Sequence, residues 1–250
     1  SYAMYSNRLS KGYTIIDEFV KSEYGKRFAK ELGINLNYYD NPFQYSDVVN
    51  KYEQTLTEKK EIDFEMILRF SDELLEHCPF ICANIASTVN SILVDEFQDT
   101  NELQYTILAR IFKKNKAISI MFVGDTNQAI YGSLGGVAKC KIELDSLFET
   151  TFQEMALTGC YRSTQRLVDL YSNFEVSKIS AYSVAEIKNI TGTISYCKSI
   201  SKDSLATEIV TIINSELKSG KKAEEICVLA PQWSMLLNLA DNAQKAMEHG

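Results

Sequence analysis

The chain has 250 residues, of which 45% are hydrophobic, and a formal net charge of −7. That length suits one large domain or two small ones. No run of about 18 apolar residues offers a membrane span, and the acidic balance argues against nucleic-acid binding through charge alone. The charge is uneven: residues 1–60 hold nine Lys/Arg against eight Asp/Glu, and the remainder holds seventeen against twenty-five. Single-strand binders can work by aromatic stacking in a local groove, so DNA stays open as a partner. The six cysteines include no Cys-x-x-Cys pair, and the only histidines are His77 and His249. No zinc set is expected from them, and scattered thiols fit a reducing cytoplasm better than a disulfide framework.

The first 60 residues read as helical. Ile15, Ile16, Phe19, Val20, Phe28 and Leu32 recur at helical spacing, Gly33 supplies a stop, and Asn41-Pro42 breaks the next stretch. A second helix is predicted from Asp63, with Phe64, Ile67, Leu68, Leu74 and Leu75 on one face and Pro79 as its end. Ser91–Val94 and Ala117–Val123 read as strands, with a helix between them from Asn101 to Lys114. Asp99 and Glu102 have the spacing of a capping box for that helix. Strand, helix, strand with continuous apolar strands implies a parallel sheet covered on both faces. Phe152–Leu157 is a third strand candidate, followed by a helix over Ser163–Ser172. A new unit is expected near Thr191: a strand at Gly192–Cys197, a helix at Ser204–Leu217, a turn at Gly220 and a buried strand at Glu225–Ala230.

Three runs carry chemistry. In Ile92-Leu93-Val94-Asp95-Glu96-Phe97-Gln98-Asp99-Thr100, a core strand delivers paired carboxylates to its carboxyl end, where ligands sit in open α/β folds. One carboxylate there can hold Mg²⁺ through water and the next can orient an attacking water. The plainer reading of a bare Asp-Glu pair is a solvated strand exit. About 30 residues on, Val123-Gly124-Asp125 leads into Gln128-Ala129-Ile130-Tyr131-Gly132. Gln128 can donate to a phosphate and accept elsewhere, whereas a turn with an Asx cap is the ordinary alternative. In Leu157-Thr158-Gly159-Cys160-Tyr161-Arg162-Ser163, the planar guanidinium of Arg162 suits phosphate oxygens. The alternative there is a core tyrosine beside a surface ion-pair partner.

In this order and spacing the three runs resemble the UvrD/Rep group of superfamily 1 DNA helicases. Softer matches at Ile62–Leu68 and Ile226–Ala230 extend the similarity over about residues 62–230. The resemblance implies an incomplete RecA-like parallel sheet over residues 62–185, preceded by a helical segment (1–61) left from an insertion. The start of a second RecA-like domain would follow over 191–250. It makes Asp95 the Mg²⁺ carboxylate, Glu96 the catalytic base and Gln128 the reader of the γ-phosphate. Tyr161 would pack on adenine, Arg162 would contact the γ-phosphate, and Tyr131 would face single-stranded DNA. Gln98 and Asp99 match positions that couple the first run to its neighbours. The implied cofactors are ATP and Mg²⁺, and the implied activity is ATP-driven movement along DNA with 3′→5′ polarity.

The chain departs from the family in four respects. Where many members have Tyr-x-aromatic-Arg-Gly-Ala, it has Tyr131-Gly132-Ser133-Leu134-Gly135-Gly136, and Cys160 replaces an asparagine. No Gly-x-x-x-x-Gly-Lys-Ser/Thr phosphate loop occurs, nor do the family's last motifs. A central fragment, inactive alone, is therefore the expectation. The alternative is a degenerate helicase-like module that binds a protein or nucleic acid without catalysis. A metal-dependent phosphatase or nuclease has no clustered ligand set to support it.

Overall fold

A computed structural model describes residues 12–37, 40–130, 132, 135–175, 180–201 and 204–248. The chain divides into two compact units, residues 1–188 and 189–250. The architecture is mixed α/β, and every strand ladder among the described residues is a parallel pair.

The first helices build their own core. Strand β1 (Thr14–Ile15) pairs with β2 (Glu61–Ile62), and helices α1 (Glu18–Glu31) and α2 (Ser46–Lys59) lie between them in sequence. Ile15 therefore belongs to a strand, not to the helix that its spacing predicted. The helix begins only after Asp17, whose carboxylate accepts the Val20 N–H at 2.9 Å. Phe28, Val48, Tyr52, Leu56 and Ile62 fill the core, each 4% exposed or less. Gly33, at φ +73°, follows α1 in the left-handed conformation that suits a helix stop.

Helix α3 (Phe64–His77) starts beside Asp63, where the sequence predicts a helix, and Asp63 caps it by accepting the Met66 N–H at 2.7 Å. Pro79 stops this helix as predicted and also has a second part. The helix ends at Cys78, and Pro79 opens α4 (Pro79–Thr88) as its first residue, where a missing N–H costs nothing. The capping box of α5 (Glu102–Lys114) is also displaced. It is formed by Asn101 and Gln104, not by Asp99 and Glu102, because Phe97–Asp99 forms a 3-10 turn before the helix starts.

Strand β3 (Ser91–Val94) has the predicted bounds, and β4 (Ser119–Phe122) lies inside them. Their parallel register sets Leu93 opposite Met121 and Val94 opposite Phe122. Ile92, Ile120 and Phe122 pack on a core of Ala86 (α4), Tyr105, Ala109 and Phe112 (α5), and Leu144 and Phe148 of α6 (Lys141–Phe148). The alternate positions are open: Leu93 is 75% and Met121 54% exposed. Among the described residues only one face of this pair is buried.

Residues 152–157 form no ladder. Met155 and Leu157 are 77% and 82% exposed. Pairing instead occurs just beyond, between β5 (Gly159–Cys160) and β6 (Tyr182–Ser183), with α7 (Gln165–Tyr171) between them. In the second unit, α8 (Leu205–Lys218) packs on α9 (Trp233–Glu248), a helix that the sequence reading did not anticipate. Neither Gly192–Cys197 nor Glu225–Ala230 forms a ladder, and Leu229 is 87% exposed rather than buried. A strand is stabilised by a hydrogen-bonded neighbour, and no neighbour for either segment is present among the described residues. No helix is long and apolar enough to cross a membrane among the described residues.

Candidate functional site

The ladder of β3 and β4 continues past both strands. Val123 N–H donates to the Val94 carbonyl at 2.8 Å, and Phe97 N–H donates to the Val123 carbonyl at 3.1 Å. The Asp95–Asp99 turn is thus folded onto the exit of β4. Between these two bonds Glu96 takes a left-handed conformation, φ 49° and ψ 46°. A non-glycine residue there costs about 1–3 kcal/mol, a cost that concentrates at functional sites. Asp95 Oδ1 accepts the Glu96 N–H at 3.0 Å, and both side chains are exposed at the carboxyl end of the strand.

Gln98 joins the two strand ends. It is 2% exposed; its Nε2 donates to Glu96 Oε2 at 2.7 Å and its Oε1 accepts the Asp125 N–H at 3.0 Å. Gly124 makes this approach possible. A Cβ there would overlap Gln98 Oε1 and come within 2.9 Å of the Phe97 nitrogen. Asp125 in turn caps the Thr126–Gln128 turn, accepting from the Asn127 N–H and from Gln128 Nε2, each at 2.9 Å. Asp95, Glu96, Gln98, Asp125 and Gln128 therefore form one polar edge, with Gln98 at its centre. The neighbouring Asp99 Oδ1 is buried with no hydrogen-bond partner among the described residues. A cleft of about 430 Å³ opens beside this edge, lined by Leu68, Leu93, Asp95, Gln104, Ile107 and Leu108 among others.

Tyr161 and Arg162 follow β5, on a different strand pair. Tyr161 is 83% exposed, and Arg162 is exposed and makes no ion pair among the described residues. No hydrogen bond or ion pair among the described residues links either to the Asp95–Gln128 edge. Cys160, just before them, has a thiol held down at about 7. The backbone N–H groups of Ser163 and Arg162 and the hydroxyl of Tyr171 all stabilise its thiolate. Tyr131, Ser133 and Leu134 lie outside the described residues.

The sequence reading missed the residues that hold the far flank of the second run. Asn101 and Gly136 form an antiparallel bridge, and Val137 N–H donates to the Thr100 carbonyl at 2.9 Å. Lys139 Nζ pairs with Glu102 at 2.7 Å and lies 5.4 Å from the centre of the Tyr105 ring. Tyr105 sits in the apolar stripe of α5, so its spacing announces packing and gives no sign that its hydroxyl is used.

PcrA, an ATP-dependent DNA helicase of Leuconostoc citreum, is 27% identical over 189 residues, covering 64% of this chain and 25% of that protein. PcrA of Staphylococcus epidermidis is 29% identical over 189 residues, 73% of this chain and 25% of that protein. A probable DNA helicase II homolog of Mycoplasma capricolum is 26% identical over 190 residues, 74% and 26% respectively. The chain spans about a quarter of the length of these relatives. Residues 18–149, more than half of the chain and including the Asp95–Gln128 edge, match the UvrD/REP helicase N-terminal domain. The chain belongs to the UvrD/REP helicase N-terminal domain family.

Proposed function

We propose that this chain is part of an ATP-dependent DNA helicase or translocase that moves on single-stranded DNA in the 3′→5′ direction. The observation that carries the proposal is the Asp95–Gln128 edge, where two strand ends are joined through one buried amide. The names of the relatives above support the same reading.

The donor set suits Mg²⁺ and a nucleotide. Mg²⁺ takes one or two protein carboxylates and fills its remaining shell with water and phosphate oxygens. Asp95 is the carboxylate proposed to hold it. Bound Mg²⁺-ATP supplies the phosphoanhydride and the positive charge that offsets its cleavage. Glu96 orients the attacking water and accepts its proton. Gln98, bonded to the Glu96 carboxylate, keeps that group turned to one side. Gln128 is already held by Asp125 through its amide nitrogen, which positions it to read a terminal phosphate. Arg162 brings an uncommitted guanidinium to the phosphate oxygens, and Tyr161 an exposed ring for adenine. Tyr131 is assigned to the DNA strand. The sequence contains no Gly-x-x-x-x-Gly-Lys-Ser/Thr run, and we propose that turnover needs such a phosphate cradle from elsewhere in the polypeptide, so that this chain alone is inactive.

The test is Glu96→Gln in the full natural polypeptide that contains this chain. ATP turnover should fall by about 100-fold or more, the usual scale for loss of a general base, with ATP binding retained. Parental turnover in the variant would refute the base assignment. A natural polypeptide of only 28.3 kDa, with no ATPase activity, would instead favour a non-catalytic binding module.

A further inference from the structure

The bend that presents Tyr161 and Arg162 is closed at its base by one buried residue from beyond α7. Residues 161–163 are neither helix nor strand; the chain enters them from β5 and leaves them through Thr164 into α7. At the entrance, Ser183 stands opposite Cys160 in the β5–β6 ladder, and Val184 N–H donates to the Cys160 carbonyl at 2.9 Å. At the exit, the Ser183 hydroxyl donates to the Ser163 carbonyl at 2.6 Å, and the Ser183 N–H donates to Gln165 Oε1 at 2.7 Å. Ser183 is only 6% exposed. It spans the mouth of the bend, from the residue before Tyr161 to the residue after Arg162. The clasp is itself braced. Gln165 Nε2 donates to Asp169 Oδ1 at 2.7 Å, which leaves the Gln165 carbonyl oxygen for Ser183. The Gln165 N–H, one of those that a helix start leaves unpaired, donates to the Lys188 carbonyl at 3.1 Å. Ala185 N–H donates to Ser183 Oγ at 3.3 Å, so the hydroxyl proton is free to point at Ser163.

We infer that Ser183 is a positioning residue for Arg162, holding the Tyr161–Ser163 bend closed so that the guanidinium is aimed at the transferring phosphate before the reaction begins. The inference rests on the function proposed above. Arg162 makes no ion pair among the described residues, so the backbone of the bend sets where its side chain starts. An unclasped bend would lose backbone freedom each time the guanidinium engages. Donors aimed in advance at developing charge need no reorganisation during the reaction, and a displacement of about 1 Å can cost about 100-fold in rate. Ser183 touches no reacting atom; it acts on the Ser163 carbonyl, and the consequence is carried by the residue before it. The two partners are 20 positions apart, so no local pattern around Arg162 announces the clasp.

The test is a mutant cycle in the full natural polypeptide, read as kcat at saturating ATP. Ser183→Ala removes the hydroxyl and keeps the backbone ladder; Gln165→Met removes the other half of the clasp and serves if the first variant fails to fold. Arg162→Ala alone should lower kcat by about 100-fold or more. Ser183→Ala alone should lower it by about 10-fold or more. On the Arg162→Ala background, Ser183→Ala should change kcat by less than about two-fold, because no guanidinium is left to position. A residue that merely stabilises the fold would lower kcat by the same factor on both backgrounds. Equal factors on the two backgrounds, or parental kcat in Ser183→Ala, overturn the inference. Parental kcat in Arg162→Ala overturns the functional reading of Arg162 and the inference with it, and that result is in hand before any clasp variant is made.

Discussion

The Gln98 carboxamide oxygen accepts the Asp125 backbone N–H at 3.0 Å, a bond between residues 27 apart in sequence that fixes the exit of β3 against the exit of β4. Its amide nitrogen is committed to Glu96 at the same time. Gln98→Ala should therefore lose about 1–3 kcal/mol of stability by leaving buried polar groups unpaired. Gly124→Ala should lose a similar amount, about 1–3 kcal/mol, through overlap. The sharper expectation concerns the pair. In Gln98→Ala/Gly124→Ala the shortened side chain removes part of that overlap, so the combined loss measured by urea unfolding should fall short of the sum. Strictly additive losses would show that the two residues do not meet.

Glu96 has a backbone that its own residue type disfavours. Glycine relieves the left-handed conformation, worth about 1 kcal/mol, whereas glycine and valine alike remove the carboxylate that the buried Gln98 amide bonds. Glu96→Gly should therefore unfold at a higher urea concentration than Glu96→Val. Equal losses in both would mean that φ 49° is not held in solution.

Asp63 links stability to pH in the helical part. It is 2% exposed. Burial pushes its carboxyl up, but the Met66 N–H, the Tyr52 hydroxyl and Lys21 together outweigh this and hold it below its usual value of 3.8. A carboxylate held low in the folded state contributes stability that is complete above the unfolded value and is lost as pH falls through the folded one. Asp63→Asn should be less stable than the parent at pH 7, and the gap should narrow below pH 3.8. A gap that stays constant down to pH 2 would contradict the assignment.

Cys160 should be the thiol that alkylates fastest near neutrality. Its value of about 7 comes first from the Ser163 N–H, then from the Arg162 N–H and the Tyr171 hydroxyl. Burial and the adjacent thiolate push that hydroxyl up to about 12. Iodoacetamide labelling, read by peptide mass, should give a rate midpoint near pH 7 for Cys160 and a higher one in Tyr171→Phe. Buried Cys78 and Cys82 should label last. Equal rates for Cys160 and the exposed Cys140 would count against this account.

The first unit was legible in the sequence wherever a residue's role followed from its neighbours in the chain. Ser91–Val94 is apolar and ends in charge, so its strand could be bounded to the residue. Asp63 caps a helix whose stripe follows at once. Pro79 ends one helix as the sequence predicts, but the same missing N–H also lets it open another, and only the path of the chain decides that. The buried amide of Gln98 acquires its meaning from Asp125, 27 positions away, and a spacing argument reaches only as far as a family likeness reaches. The second unit was the least legible. Glu225–Ala230 has the composition of a strand, but a ladder also requires a partner, and composition does not supply one.

Leu93 and Met121, standing exposed on the open side of the β3–β4 pair, make concentration a variable of this chain's stability. Anything that covers that face binds the folded form and not the unfolded one, so it raises the melting temperature by mass action. The isolated chain thus has a stability that belongs partly to its surroundings: dilute and alone it sits at its lowest value, and detergent, added polypeptide or crowding with other apolar surfaces each shifts it. Variants of this chain are comparable only at matched protein concentration, and a substitution such as Leu93→Lys removes apolar surface from the open face without touching the buried one.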